Sequence, residues 1–180
     1  SLSLDEDVNV IDGGLNLNLD KGDINIPDLY PKALPFKSGQ IVARYNKQDN
    51  LLRVEPMRFD FEKMVLQGDA DIHVGSTPRD VAATFKLSDI PMEQLADLWP
   101  ESAGKNARDW ILENIHKGKL DEVVVKLAMT VPENDVSAAA LKDVHGTIKV
   151  SNLDMTAWKP LPNIQKLNGE GTFTDNGFDI

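Results

Sequence analysis

Apolar and polar residues alternate with a period of two along most of this chain. Leu15, Leu17 and Leu19 are separated by Asn16 and Asn18, and Ile24 and Ile26 resume the pattern. Met57, Phe59 and Phe61 alternate with Arg58 and Asp60, and Ala70, Ile72 and Val74 with Asp71 and His73. Val81, Ala83, Phe85 and Leu87 alternate with Ala82, Thr84 and Lys86. The cleanest run is Val123, Val125, Leu127, Met129 and Val131, interleaved with Val124, Lys126, Ala128 and Thr130, and Ile148 and Val150 repeat the spacing. Residues i and i+2 of a strand point to the same side, so each run predicts a strand with one apolar face and one wet face. Turn chemistry falls between the runs at Gly13-Gly14, Lys21-Gly22-Asp23, Asn46–Asn50, Gly75–Pro78 and Asp175-Asn176-Gly177. Residues 27–37, with Pro27, Pro31 and Pro35, predict a loop laid over the sheet by Leu29, Tyr30, Leu34 and Phe36. The sum is roughly ten strands joined mostly by short turns. Tight turns cannot make parallel crossovers, so the strands form an antiparallel meander.

One region breaks the rhythm. Pro91 suits a first helical position, and Met92–Leu98 predicts a short helix. Beyond Pro100, Ala107, Trp110, Ile111 and Ile115 share a helical stripe, with Ser102 placed as N-cap and Gly118 as the left-handed residue ending the helix. Trp99 and Trp110 are expected to pin this element to the sheet, and Arg108 to clamp the Trp99-Pro100 turn or a backbone carbonyl. The fold class is therefore mainly β with a helical insertion (α+β). It is an antiparallel meander forming a curved open sheet or groove, with strand-rich halves at 1–88 and 120–180 and a two-helix cap near 91–117 between Leu87 and Leu120. Residues 29–54 and 153–180 both pass from a Pro-bearing loop into a hairpin, which suggests a repeated unit.

Composition narrows the function. The 180 residues carry a formal net charge of −10, which disfavours nucleic acid, since phosphate contacts need clustered Lys and Arg. There is no cysteine, so no thiol nucleophile or zinc–thiolate site. His73, His116 and His145 lie in separate segments without ligand spacing, and Asp69, Asp71, Asp121 and Glu122 lack the glycine and spacing of a calcium loop. No nucleophile elbow or phosphate loop is present. No catalytic residue, metal ligand or cofactor is assigned. Both ends of the chain stop in strand rhythm, so it is expected to be an excised piece of a longer protein, with any targeting or membrane segment outside it.

Leu98-Trp99-Pro100, then Arg108-x-Trp110-Ile111-x-x-Asn114-Ile115-x-x-Gly118-x-Leu120, resembles a signature of the AsmA-like proteins of Gram-negative bacteria, in particular the large YhdP-type members. Trp158, Leu161-Pro162, Gly169 and the Phe-bearing hairpin after them are similar to a unit that recurs in that family. The resemblance spans residues 85–180; residues 1–84 share only the strand rhythm. It implies a periplasmic protein anchored in the inner membrane, whose β-groove carries phospholipid between the inner and outer membranes. The implied partners are phospholipid acyl chains and the remaining repeats of the full-length protein. The candidate groove lining is Val81, Ala83, Phe85, Leu87, Val123, Val125, Leu127, Met129, Val131, Ile148 and Val150. In a closed sandwich the same residues would be ordinary core, and the chain a spacer without ligand. Alternation by itself fits both outcomes.

Overall fold

The computed structural model describes residues 2–4, 10–26, 30, 32–100, 105–135, 138–156, 162–175 and 177–179. The strands are β1 (Leu2–Leu4), β2 (Val10–Leu19), β3 (Gly22–Ile24), β4 (Leu34–Phe36), β5 (Ser38–Asn46), β6 (Leu51–Asp60), β7 (Val65–His73), β8 (Arg79–Pro91), β9 (Ile115–Val131), β10 (Ala140–Met155), β11 (Ile164–Thr174) and β12 (Gly177–Asp179). Between β8 and β9 lie a 3₁₀ turn (Met92–Gln94), α1 (Leu95–Leu98) and α2 (Lys105–Asn114). Ten strands form one sheet in the order β1-β2-β5-β6-β7-β8-β9-β10-β11-β12, and β3 pairs with β4 in a separate hairpin. Every pairing is antiparallel, and the sheet is open and curved.

Phase slips in the apolar pattern coincide with irregularities of the ladder. Apolar residues are spaced by three at Val54/Met57, Leu120/Val123, Leu141/Val144 and Val150/Leu153. At each of these the register shifts, so the extra residue is absorbed in a bulge and both neighbours stay on one face. At Val54/Met57 the slack is Glu55-Pro56, and proline, which has no N–H to donate, fits a bulge better than a ladder. At Leu87/Ile90 the slack residue is Asp89, which takes a φ of 66°.

The two ends of the strands are built differently. At one end β5–β6, β7–β8, β9–β10 and β11–β12 are joined by connections without strands or long helices of their own. At the other end lie the two longest excursions, which carry the β3–β4 hairpin and both helices, together with the β10–β11 connection.

The core forms at this end, where strands and connections meet. Met64, Ile90, Met92, Leu95, Leu120 and Leu153 form one buried cluster, with Phe61, Leu87, Leu98, Trp99, Ile111, Leu112, Ile115, Val123, Ile148 and Val150 packed around it. Arg108 ties the helical element together: its Nε donates to the Trp99 carbonyl at 3.0 Å and its Nη2 to the Ala96 carbonyl at 3.0 Å. That is the backbone clamp expected from the sequence. Tyr30 Oη donates to the Leu98 carbonyl at 3.1 Å, joining the loop beside β3–β4 to the cap.

Three expectations are corrected. Gly13-Gly14 lies inside β2 rather than in a turn, because the two glycines pair with Tyr45 and Arg44 of β5 without interruption. The second helix ends at Asn114 and Gly118 belongs to β9. Its φ of 121° and its closeness to β10 explain the glycine, since a Cβ there would sit 2.5 Å from Leu153 Cδ2. Trp110 does not pin the helix. It is 39% exposed, and the seat is taken by Trp99, Ile111 and Leu112. Ser102 and Trp158 lie outside the described residues.

Ile90, at 2% exposure, is the most buried side chain of the cluster. Ile90→Ala is expected to cost about 3–4 kcal/mol, as for other buried aliphatic truncations, and Trp110→Ala under about 1.5 kcal/mol. Urea unfolding of both variants checks the order; a larger loss at Trp110 would contradict this packing.

Candidate functional site

The register assembles the period-two runs into rows that cross the sheet. One row reads Leu17, Ile41, Met57, Gly68, Phe85, Val125, Gly146 and Phe173 from β2 to β11. The next reads Leu15, Ala43, Val54, Ala70, Ala83, Leu127 and Val144. A third reads Gly13, Tyr45, Leu52, Ile72, Val81, Met129 and Leu141. On the cap side a fourth reads Leu19, Gly39, Phe59, Leu66, Leu87, Val123, Ile148 and Gly171. Directly opposed residues of antiparallel strands share a face, so these rows form one continuous apolar surface. With standard strand spacings it measures roughly 20 Å along the strands and 30–35 Å across them.

All eleven candidate residues lie on this face, but they divide into two groups. Leu87, Val123, Ile148 and Val150 pack against the buried cluster and serve the cap as core. Val81, Phe85, Val125, Leu127, Met129 and Val131 are half-buried, and Ala83 is buried at 7% exposure. Its neighbour Ala82, on the other face, is exposed. Side chains of equal size one residue apart thus show which face is shielded. The shielding is incomplete, since Leu15 is 51% exposed. The β3–β4 hairpin covers another part of the face near the same edge, where Phe36 meets Phe59 edge-on at 5.2 Å between ring centres. The cover lies at the cap edge; the edge of the tight hairpins is open.

Sequence reasoning missed the half of the surface contributed by β2 and β5–β7. The alternation of those strands was legible, but their shared face followed only from register. It also missed a recurring device of the surface. Phe59 pairs with Gly39, Phe85 with Gly68 and Phe173 with Gly146 across neighbouring strands. Each ring lies where a side chain on the glycine would stand: a Cβ at Gly39 would meet the Phe59 ring at 2.7 Å, and one at Gly68 the Phe85 ring at 2.9 Å. The rings lie low across the sheet, which keeps the space above it free of aromatic bulk.

The opposite face is polar and paired. Arg53 holds Asp71 through two contacts, Nε–Oδ1 at 2.8 Å and Nη2–Oδ2 at 3.1 Å, and Arg58 holds Asp60. Lys86 pairs with Glu122, Lys142 with Asp80, and Lys119 with both Asp89 and Asp121. Shallow depressions lie on this side. One of about 290 Å³ is bordered by Asp69, Asp71, Thr84, Lys126, Asp143 and His145. His145 Nδ1 is 2.8 Å from Asp143 Oδ2, while His116 bonds Thr156 far along the same strands. Among the described residues no group of three or more His, Asp or Glu could hold a metal ion. Nor is any described helix long and apolar enough to cross a membrane.

Hydrogen bonds from Arg53, Arg58 and Lys142 pull the carboxyls of Asp71, Asp60 and Asp80 below the usual 3.8, and Lys86 pulls Glu122 below 4.5. Groups depressed in the folded state contribute stability above their unfolded pKa and lose it as pH falls through the folded value. Stability is therefore expected to be level at neutral pH and to decline below about pH 4, less steeply in an Asp71→Asn variant; thermal melts across that range check it. A second expectation concerns the ring-over-glycine pairs. A Cβ at Gly146 would collide with the Val124 carbonyl and the Phe173 ring, whereas one at Gly169 meets nothing within 4 Å. Gly146→Ala is expected to cost about 1–3 kcal/mol by overpacking and Gly169→Ala almost nothing, measured by denaturant unfolding.

No protein-family model matches this chain, and no curated protein or solved structure matches it at a significant level.

Proposed function

We propose that this chain is a stretch of a lipid-carrying groove, in which phospholipid acyl chains lie on the apolar face without any catalytic step. The observation that carries the reading is the continuous apolar surface from β2 to β11, which the described residues cover at the cap edge. Without the covered fourth row its rough footprint is about 450 Å², within the range of the largest apolar patch of a typical soluble monomer, a patch that is often functional. Its four rows are built from aliphatic residues, phenylalanine and glycine, with Tyr45 the one member that carries a hydrogen-bonding side chain. A bound protein segment would bring backbone polar groups that need partners. A hydrocarbon chain needs none, and each CH₂ taken from water onto this face is worth about 0.8 kcal/mol. The low-lying phenylalanine rings leave room for such chains. The resemblance of residues 85–180 to AsmA-like proteins supports the same reading and adds its setting: the periplasm, with phospholipid moving between inner and outer membranes and further repeats extending the groove.

The test is lipid loading. The chain, purified after exposure to phospholipid vesicles, is expected to retain lipid detectable by native mass spectrometry and by solvent extraction. Leu127→Glu and Val125→Asp place a charge in the middle of the open rows, and are expected to abolish retention while circular dichroism keeps its β signature. A wild-type chain that emerges lipid-free, or variants that load as well as wild type, would count for a ligand-free spacer instead.

A further inference from the structure

We infer that the β3–β4 hairpin is a movable strap, latched by Tyr30, that competes with the ligand for the apolar face; this rests on the groove reading above. The hairpin is built to lie on that face. Gly22 pairs with Phe36 and Ile24 with Leu34, so these four share one side and are half-buried, while Asp23 and Pro35 on the other side are exposed. The shared side carries the same kinds of residue as the rows beneath it. It also repeats their ring-over-glycine pairing, since a Cβ at Gly22 would meet the Phe36 ring at 2.8 Å. Phe36 stands edge-on to Phe59, which is buried although it is not part of the cluster under the helices. The strap thus occupies apolar surface that an alkyl chain could occupy instead.

The two parts of the cover are held unequally. The helical part runs close along β9 and contributes Met92 and Leu95 to the buried cluster. The backbone of the hairpin approaches chiefly itself. It pairs with no strand of the ten-stranded sheet, and none of the residues of β3 and β4 is buried. A two-stranded hairpin is marginally stable by itself, so this one keeps its shape only while it lies on the sheet. Its root is fixed between β2 and β5, where the Lys37 amide donates to the Asp60 carbonyl at 2.7 Å. Its far end is held by a side chain, through the 3.1 Å hydrogen bond from Tyr30 Oη to the Leu98 carbonyl. Leu98 is the last residue of α1, so this bond latches the loose part of the cover to the firm part. Segments with few buried contacts open before the rest of a fold. Release of the latch lets the strap swing from its root and bares Leu19, Gly39 and Phe59 of the fourth row, which extends the open rows towards the cap. An incoming chain and the inner side of the strap therefore exclude each other.

The experiment pairs hydrogen exchange with lipid uptake. In wild type the amides of β3–β4 are expected to exchange through local opening, faster than those of the β8–β9 ladder. Tyr30→Phe removes the latch and is expected to speed exchange in β3–β4 about fivefold, the scale of one net hydrogen bond, with β8–β9 unchanged. Uptake from phosphatidylglycerol vesicles, followed by native mass spectrometry, is expected to accelerate by a similar factor in this variant. Phe36→Ala removes apolar surface yet frees Phe59, and is expected to raise uptake as well, with circular dichroism unchanged. Exchange of β3–β4 only together with β8–β9 overturns the strap, as does exchange that Tyr30→Phe leaves at the wild-type rate. Faster exchange with uptake slowed or unchanged in both variants overturns the competition and makes the hairpin a fixed part of the groove wall. Absence of lipid in wild type and variants alike, with exchange still responding to Tyr30→Phe, overturns the groove reading and the competition with it, leaving a mobile hairpin alone.

Discussion

Cross-strand register is the constraint on which everything else in this molecule depends. A strand presents alternate residues to opposite sides, so a slip of one position would turn its apolar set to water and its charges inward. Eight successive long strands must agree on one face, and they do so although their apolar spacing is not uniform. Bulges at Glu55-Pro56 in β6, near Asp121 in β9 and near Lys142 in β10 take up the odd residue. Salt links on the other face reinforce the same alignment: Arg53 meets its directly opposed partner Asp71, and Lys86 reaches Glu122 on the next strand. These exposed pairs contribute little stability each, but a slipped register would bring them against apolar neighbours.

Buried and half-buried residues are separated along the strands. The fully buried residues are concentrated at the cap edge, where Ile90, Leu120 and Leu153 meet Met64, Met92 and Leu95 from the connections. Towards the hairpin edge the same strands continue with half-buried Val81, Leu127 and Met129 and no second layer. A sheet closed on both halves would have a larger core and no room for a ligand; one closed on neither would lack the buried cluster that holds the strands. The Arg108 clamp and the Tyr30–Leu98 hydrogen bond keep the cover compact at its own edge.

The helical region shows how a local pattern can mislead. The stripe Ala107, Trp110, Ile111, Ile115 satisfies helical spacing, yet Trp110 is exposed and Ile115 opens β9. Propensity and periodicity see only neighbours within a few residues. Whether β9 begins before or after Gly118 is settled by β10, which pairs with it as far as Met155–Ile115. Gly118 is a glycine because of Leu153, a residue distant in sequence, and not because a helix stops there.

The sequence by itself determined the strands, their antiparallel meander, the apolar identity of one face and the existence of a helical interruption. All of these follow from period and turn chemistry, which act over a few residues. The phase slips at Val54/Met57 and Leu120/Val123 were also written in it, legible as bulges once the strands are paired. Tertiary structure alone decided that the apolar runs of β2 and β5–β11 fall on one surface, that Leu87, Val123, Ile148 and Val150 become core, and that Val81, Leu127 and Met129 stay half-buried. The physical reason is that coverage is a property of distant segments. An alternating strand buries its apolar side equally well under a second sheet, under a cap or under a ligand, and only the placement of the β3–β4 hairpin and the two helices decides which part of the face they cover.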